Sequence, residues 1–354
     1  MSGLANSLQS SVNVPEEPGL GSAPERQRRW YGLVIALSLL ALIGLSSLLI
    51  GSGWVPFDRV WQVLLAPDDS MESTIVWDFR VPRTLLGLLV GSAMGVAGAL
   101  IQALTRNPLA DPGILGVNAG AAFTVTLGVA VFGITQISTY LWFALLGAVL
   151  TTLAVYRVAA RGRGGPTPVR LTLVGIAVAA VLSGISNTLA LIDPNTFDRM
   201  RYWGAGTIAD RPAGTILAVL PFIVGGLVLS ALLARPLNAM ALGEELATSF
   251  GTSILRTRLG CIVAITLLCG AGTAAAGPIS FIGLMVPHLV RWFTGPDQRW
   301  ILALTALAAP ALLLLADLLG RVMQQGELQV GIVTALIGAP VLILLVRRRR
   351  LSEL

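Results

Sequence analysis

Three arginines stand where an uncharged run begins or ends. Arg80 and Arg83 lie three residues apart ahead of Thr84–Thr105, and Arg321 closes a later apolar stretch. A guanidinium is a rigid five-donor fork that pairs bidentately with carboxylate or phosphate. The placement suits an acidic partner, and it equally suits an interfacial anchor among lipid headgroups. A second candidate is Asn107-Pro108-Leu109 within RNPLADP (106–112). This reads either as a plain Asn-Pro turn or as a broken segment presenting side chains to a narrow pathway. The rest of the chemical inventory is thin. All 24 basic residues are arginine, so the lysine of a P-loop or of a Schiff base is missing. His288 is the only histidine, which rules out a His-rich metal site and reads as a structural hydrogen-bonding group. Cys261 and Cys269 are eight apart, or ~12 Å along a helix, too far for a disulfide. They read as packing residues. No catalytic residue and no metal site are expected.

The elements that must position these residues are membrane spans. Hydrophobic residues make up 55% of the chain, charged ones 12%, and mean hydropathy is +0.80. A soluble domain carries about 25% charge. The expected fold is therefore an all-α polytopic membrane protein. Residues 1–29 are polar and Pro-, Ser- and Glu-bearing, and read as a disordered cytoplasmic tail. Residues 30–350 then hold the spans. These are 31–50, 84–105, two within 112–156 around a turn near Gly133–Thr139, 171–192 and 212–234. Two more lie within 259–290, cut at Gly277-Pro278, followed by 300–318 and 329–346. That makes ten, with both termini on one side. On this topology Arg59, Arg80, Arg83, Arg199, Arg201, Arg211 and Arg321 are outside, 7 against 17 inside, so the termini are cytoplasmic. The net charge of +6 follows from that loop bias and does not indicate nucleic-acid binding. Gly87, Gly91, Gly95 and Gly98 on the second span, and Gly116 and Gly120 on the third, give small-xxx-small faces for close helix packing.

The longest inner loop carries ALGEELATSFG (241–251). Leu242, Leu246 and Phe250 repeat at four-residue intervals, with Gly243, Glu244, Glu245 and Gly251 between and after them. The pattern fits a helix on the membrane surface or one docked on a protein. Acidic residues beside anionic lipid count against the former.

Several passages, in order along 30–350, resemble the FecCD-type permeases of type II ATP-binding-cassette importers for ferric siderophores, haem and vitamin B12. They are WDFRVPRTL (77–85), QALTRNPLADPGILGVNAGAA (102–122), RYWGAGTIA (201–209), ALGEELATSFG (241–251), GPISFIGLMVPHLVR (277–291), LLADLLGR (314–321) and ELQVGIVTALIGAP (327–340). The resemblance implies a ten-helix permease in the bacterial cytoplasmic membrane that is not itself an enzyme. It implies that Arg80, Arg83 and Arg321 receive acidic residues of an extracytoplasmic substrate-binding protein. Asp317, four residues before Arg321, would hold that arginine in place. Asn107 and Leu109 become a cytoplasmic gate. The loop before the fifth span supplies its other side at Pro168 and Val169, although PTPV differs there from the small hydroxyl pair of the vitamin B12 permease. Leu242–Gly251 becomes the coupling helix seated on an ATPase. The implied partners are a second permease, identical or paralogous, two ATPases holding ATP and magnesium, the binding protein, membrane lipid and a ferric siderophore. No cofactor is expected in this chain. Gln329 stands where the vitamin B12 type has proline, which favours a siderophore over haem or cobalamin. The rival class is an ion-driven secondary transporter, but the spans offer no chain of buried acids and histidines for proton coupling.

Overall fold

The computed structural model describes residues 23–51, 53, 55–161, 167–212, 214–323 and 328–347. All regular structure among these residues is helical. Helix α1 is Ala23–Leu49. Two short helices, α2 (Phe57–Leu65) and α3 (Met71–Thr74), lead through a π-helical turn at Ile75–Arg80 into α4 (Val81–Thr105). A 3-10 turn at Pro112–Leu115 opens α5 (Val117–Phe132), which is followed by α6 (Ile137–Ala160) and α7 (Pro168–Ile192). Next come α8 (Pro194–Gly204), α9 (Gly214–Ala241) and the short α10 (Glu244–Ser249). The chain closes with α11 (Ile254–Ala276), α12 (Ile282–Thr294), α13 (Gln298–Met323) and α14 (Val330–Arg347).

Seven of these helices are long and apolar enough to cross a membrane: α1, α4 with its lead-in, α6, α7, α9, α11 and α13. The shorter α5, α12 and α14 fall where the other three spans were expected. The thirteen-residue α12 is short because Gly277 (φ +79°) and the irregular 278–281 take up part of its depth. The same holds for α5, which starts only after 107–116. Non-helical backbone at such depth survives when protein buries it, and Ala110, Pro112 and Leu115 are indeed buried.

Helices α4 and α11 form the centre, each with 78% of its most apolar window buried, against 17% for α1 and α7. Lipid offers no hydrophobic drive to pull helices together, so close backbone approach must do it. The glycine face of α4 supplies this. A methyl group at Gly98 would run into the Gly283 carbonyl of α12, and one at Gly91 into the backbone of Pro310 on α13. Gly120 of α5 likewise abuts Gly147 and Thr151 of α6. Cys261 and Cys269 are free and buried in α11.

The first 22 residues of the expected tail lie outside the described residues. Residues 23–29 correct that expectation, because they are helical and belong to α1. The reason is a capping demand. Helix α12 ends with orphan carbonyls, and the side chains of Arg28 and Arg29 donate to Phe293 O and Thr294 O at 3.1 and 3.2 Å. Gly165 and Pro166, ahead of the gate residues on α7, and Glu327, the first residue of the last motif, also lie outside the described residues.

Candidate functional site

The functional residues gather at the two ends of the bundle. At the outer end, helix α1 stops at Leu49 and leaves its last carbonyls unpaired. Arg80, delivered by the π-helical turn, answers them. It donates to Leu48 O, Leu49 O and Gly53 O at 2.9, 2.8 and 2.9 Å. Arg321 completes the clamp from α13, donating to Ser47 O and Ile50 O at 2.9 and 2.6 Å and to Ser47 Oγ at 3.0 Å. Asp317, 1% exposed, accepts from Arg321 one turn later (Nη2 at 2.5 Å) and from Arg83 of α4 (Nη2 at 2.8 Å). The expected Asp317–Arg321 bond is present, and Arg83 shares it. The sequence placed all three arginines as outward receptors. In this chain Arg80 is 4% exposed and its Nη donors serve carbonyls of the protein itself.

Beyond that clamp lies an open well of about 800 Å³. Arg80, Arg83, Arg199, Arg211 and Arg321 line it. Tyr140, Tyr202 and Trp203 contribute aromatic surface, and Asp210 is the acidic residue of the lining. Helix α8 positions Arg199 and Tyr202. It starts firmly because Asp193 caps it, accepting from Thr196 N at 3.0 Å and Asn195 N at 3.3 Å. A bond from the Thr196 hydroxyl, together with those backbone bonds, holds the Asp193 carboxyl below its ordinary pKa. Arg211 follows in the loop to α9. Burial draws its pKa down to about 10, with nearby Asp210 opposing, so it stays cationic at neutral pH. The sequence listed both arginines only as outside charges. Nothing in their spacing reveals that α8 folds them against the α4 and α13 ends.

At the inner end, α4 ends on Arg106 in the left-handed conformation (φ +51°). The chain then turns: Asn107 Oδ1 accepts from Leu109 N at 3.0 Å, and Asp111 Oδ1 from Gly113 N at 2.8 Å. Asn107 is exposed and Leu109 half-buried. Pro168 and Val169 form the first turn of α7, which Thr167 caps. Helix α7 packs on the 3-10 turn after the gate segment, where Gly175 meets the Ile114 carbonyl. So the two gate regions share one end of the bundle.

The coupling segment departs from the expected single amphipathic helix. Helix α10 holds only Glu244–Ser249, because Gly243 (φ +120°) and Gly251 (φ +77°) interrupt the backbone on both sides. Leu242 sits in the preceding turn and Phe250 at the C-cap. All three apolar residues nonetheless face outward, at 64%, 52% and 70% exposure for Leu242, Leu246 and Phe250. Ala247 is the buried anchor. Glu244 pairs with Arg258 of α11 at 2.5 Å, and Glu245 is exposed. The segment hangs from α9, and α9 is tied inward twice. Arg106 donates to Met240 O. Asn238 bridges Asp297 and Gln298 N, both at 2.8 Å, in the turn between α12 and α13.

A buried polar pair deeper in the bundle escaped the sequence reading. Gln102 of α4, fully buried, donates to Gly283 O and Leu284 O at 3.2 and 3.0 Å and accepts from Arg291 Nη1 at 2.6 Å. A lone glutamine in an apolar span was the available signal. His288 stacks edge-on with Trp292 at 6.1 Å.

A helical permease built on small-residue packing, basic outside and with an exposed apolar knob inside, is the class these features define. The chain belongs to the FecCD transport family, whose model matches residues 39–348. It is 50% identical over 314 residues to the ferric enterobactin transport system permease FepD of Escherichia coli K12, covering 88% of this chain and 94% of that protein. The iron(3+)-hydroxamate import permease FhuB of Bacillus subtilis is 36% identical over 329 residues (91% and 85%). The hemin transport permease HmuU of Yersinia pestis is 35% identical over 322 residues (89% and 94%). Among solved structures, an inward-facing metal-chelate type ABC transporter superposes with a TM-score of 0.78 at 26% identity, covering 89% of this chain and 98% of that one. The protein is thus a multi-pass permease of the bacterial cytoplasmic membrane.

Proposed function

We propose that this chain is the membrane permease subunit of an ATP-driven importer of a ferric siderophore, with ferric enterobactin as the first candidate. The observation that carries this is the 50% identity to a ferric enterobactin permease along 88% of the chain. The chain does not hydrolyse ATP. Two partner ATPases would do so with their own magnesium, and a second permease, identical or paralogous, would complete the pathway. An extracytoplasmic binding protein would deliver the chelate. No cofactor is assigned to this chain.

The inner-end geometry supports a route for the stroke. An ATPase groove would hold Leu242, Leu246 and Phe250. Motion of α10 would pull the end of α9, and the Arg106–Met240 bond would carry it to the residue just before Asn107. Asn107 and Leu109 would then part from Pro168 and Val169 and from the same residues of the partner permease. A short irregular segment suits this, since it can shift without unwinding a helix. The outer end would receive acidic groups of the binding protein on its arginine-lined face.

The test is uptake of radiolabelled ferric enterobactin into proteoliposomes holding the complete complex. Uptake should require ATP and the binding protein, and exceed that of haemin or cobalamin. Uptake driven by an ion gradient without ATP would overturn the reading in favour of a secondary transporter.

A further inference from the structure

Gln102 touches two elements at once near the inner end. Its side chain, fully buried in α4, is directed at α12. The amide donates to Gly283 O and Leu284 O, and the oxygen accepts from Arg291. Its backbone carbonyl accepts from Asn107 N at 3.2 Å, the first residue of the gate segment. One residue therefore connects α12 to the gate turn.

Arg291 depends on this contact. Its Nη1 reaches Gln102 Oε1 at 2.6 Å, while Nε and Nη2 are buried with no hydrogen-bond partner among the described residues. A buried charge with unpaired donors is costly. Packing α4 on α12 does not call for it, because glycines already bring the two together. One turn before Gln102, a methyl group at Gly98 would run into the Gly283 carbonyl. Backbone against backbone leaves little to compress, so a shift of α12 passes to α4.

Helix α12 is in turn tied to the driven end. Gly295 N donates to Arg291 O at 3.0 Å. Two residues on, Asp297 accepts from Asn238 of α9 at 2.8 Å. Helix α9 leads directly into α10.

We infer that Gln102 and Arg291 are positioning residues for the gate. Together they link the end of α12 to Asn107, as a second tie beside the Arg106–Met240 bond. The inference rests on the importer reading and adds a route to the stroke described there. Coupling of this kind is measured by a mutant cycle.

The test uses the complete complex in proteoliposomes with the binding protein of the same transport system. It reads ATP hydrolysed per ferric enterobactin imported, and thiol labelling in the Leu109→Cys background. Arg291→Met removes the donor and keeps a long side chain. It should raise ATP per chelate about threefold and shrink the nucleotide dependence of labelling, with ATPase co-purification unchanged. Gln102→Met should do the same. The double variant should be no worse than either single one, because both cut one tie. Arg291→Lys keeps a donor and should recover part of the ratio. Arg106→Ala combined with Arg291→Met should multiply the two losses, since the ties are separate. If Arg291→Met does not assemble, Asn238→Ala carries the test with the same signs. A wild-type ratio and wild-type labelling in Arg291→Met, or in Asn238→Ala in its place, overturn the inference. So do losses that multiply between Gln102→Met and Arg291→Met, since two unrelated packing faults would then explain them. A wild-type complex could import no ferric enterobactin yet show nucleotide-dependent labelling at position 109 that Arg291→Met abolishes. That result would support the tie and reject the importer reading alone.

Discussion

At the outer end, polar groups turn inward. Arg80 and Arg321 close the C-terminus of α1, and Asp317 joins α13 to α4. At the inner end, apolar groups turn outward, with Leu242 and Phe250 64% and 70% exposed at the two ends of a six-residue helix that the positive-φ glycines Gly243 and Gly251 flank. The outer end is a set of long-range ties between long helices. The inner end is a knob on a short lever, tied to the gate by few bonds. An importer needs this division: the receiving face must keep its shape while the driven face moves.

The strongest way to break the comparison is to cut the outer tie. Asp317→Asn removes the carboxylate shared by Arg83 and Arg321, whose side chains are 12% and 2% exposed. Breaking a buried pair from one side costs about 3–5 kcal/mol. The variant should purify poorly and melt well below wild type. A wild-type melting midpoint would mean that the outer end is not held by this cluster.

The spans were legible because uncharged runs and arginine bias are strong signals. The break at Gly277-Pro278 and the turn near Gly133 were too, since proline and positive-φ glycine stop helices. Helices α2 and α8 were missed. Both are too short to span a membrane, and α8 is also polar enough to pass for a loop and depends on the Asp193 cap. For the same reason the sequence could place Arg199 and Arg211 outside but not in the well. It also could not tell that Arg80 faces the protein, because that depends on where α1 ends in space.

At the inner end, Leu246→Asp should separate the ATPase while leaving the permease inserted. Burying a leucine contributes about 1.5–3 kcal/mol, and the new carboxylate would meet an apolar groove unpaired. Affinity should drop by more than tenfold, read as ATPase lost on co-purification, with the melting midpoint of the permease unchanged. Normal co-purification would show that the exposed apolar knob is not the docking face. A fall in midpoint to match would erase the contrast between the ends.

The finest test addresses the link between knob and gate. Arg106 precedes Asn107 and is held by the Met240 carbonyl at the end of α9. A charged hydrogen bond contributes about 1.5–3 kcal/mol, less here because Arg106 is exposed. Arg106→Ala should therefore leave assembly and ATPase binding intact and change only the yield of transport, by a few-fold. ATP hydrolysis per chelate imported should rise. Position 109 can report the gate directly. Cys261 and Cys269 are buried at 0% and 1% exposure, so a thiol reagent should read Leu109→Cys with little background. In the Leu109→Cys protein, labelling should change with nucleotide state. In the Arg106→Ala, Leu109→Cys protein that dependence should shrink while ATP turnover continues. If labelling still follows nucleotide fully, motion reaches the gate by another path, and the Asn238–Asp297 tie to the α12–α13 turn is the one left to cut.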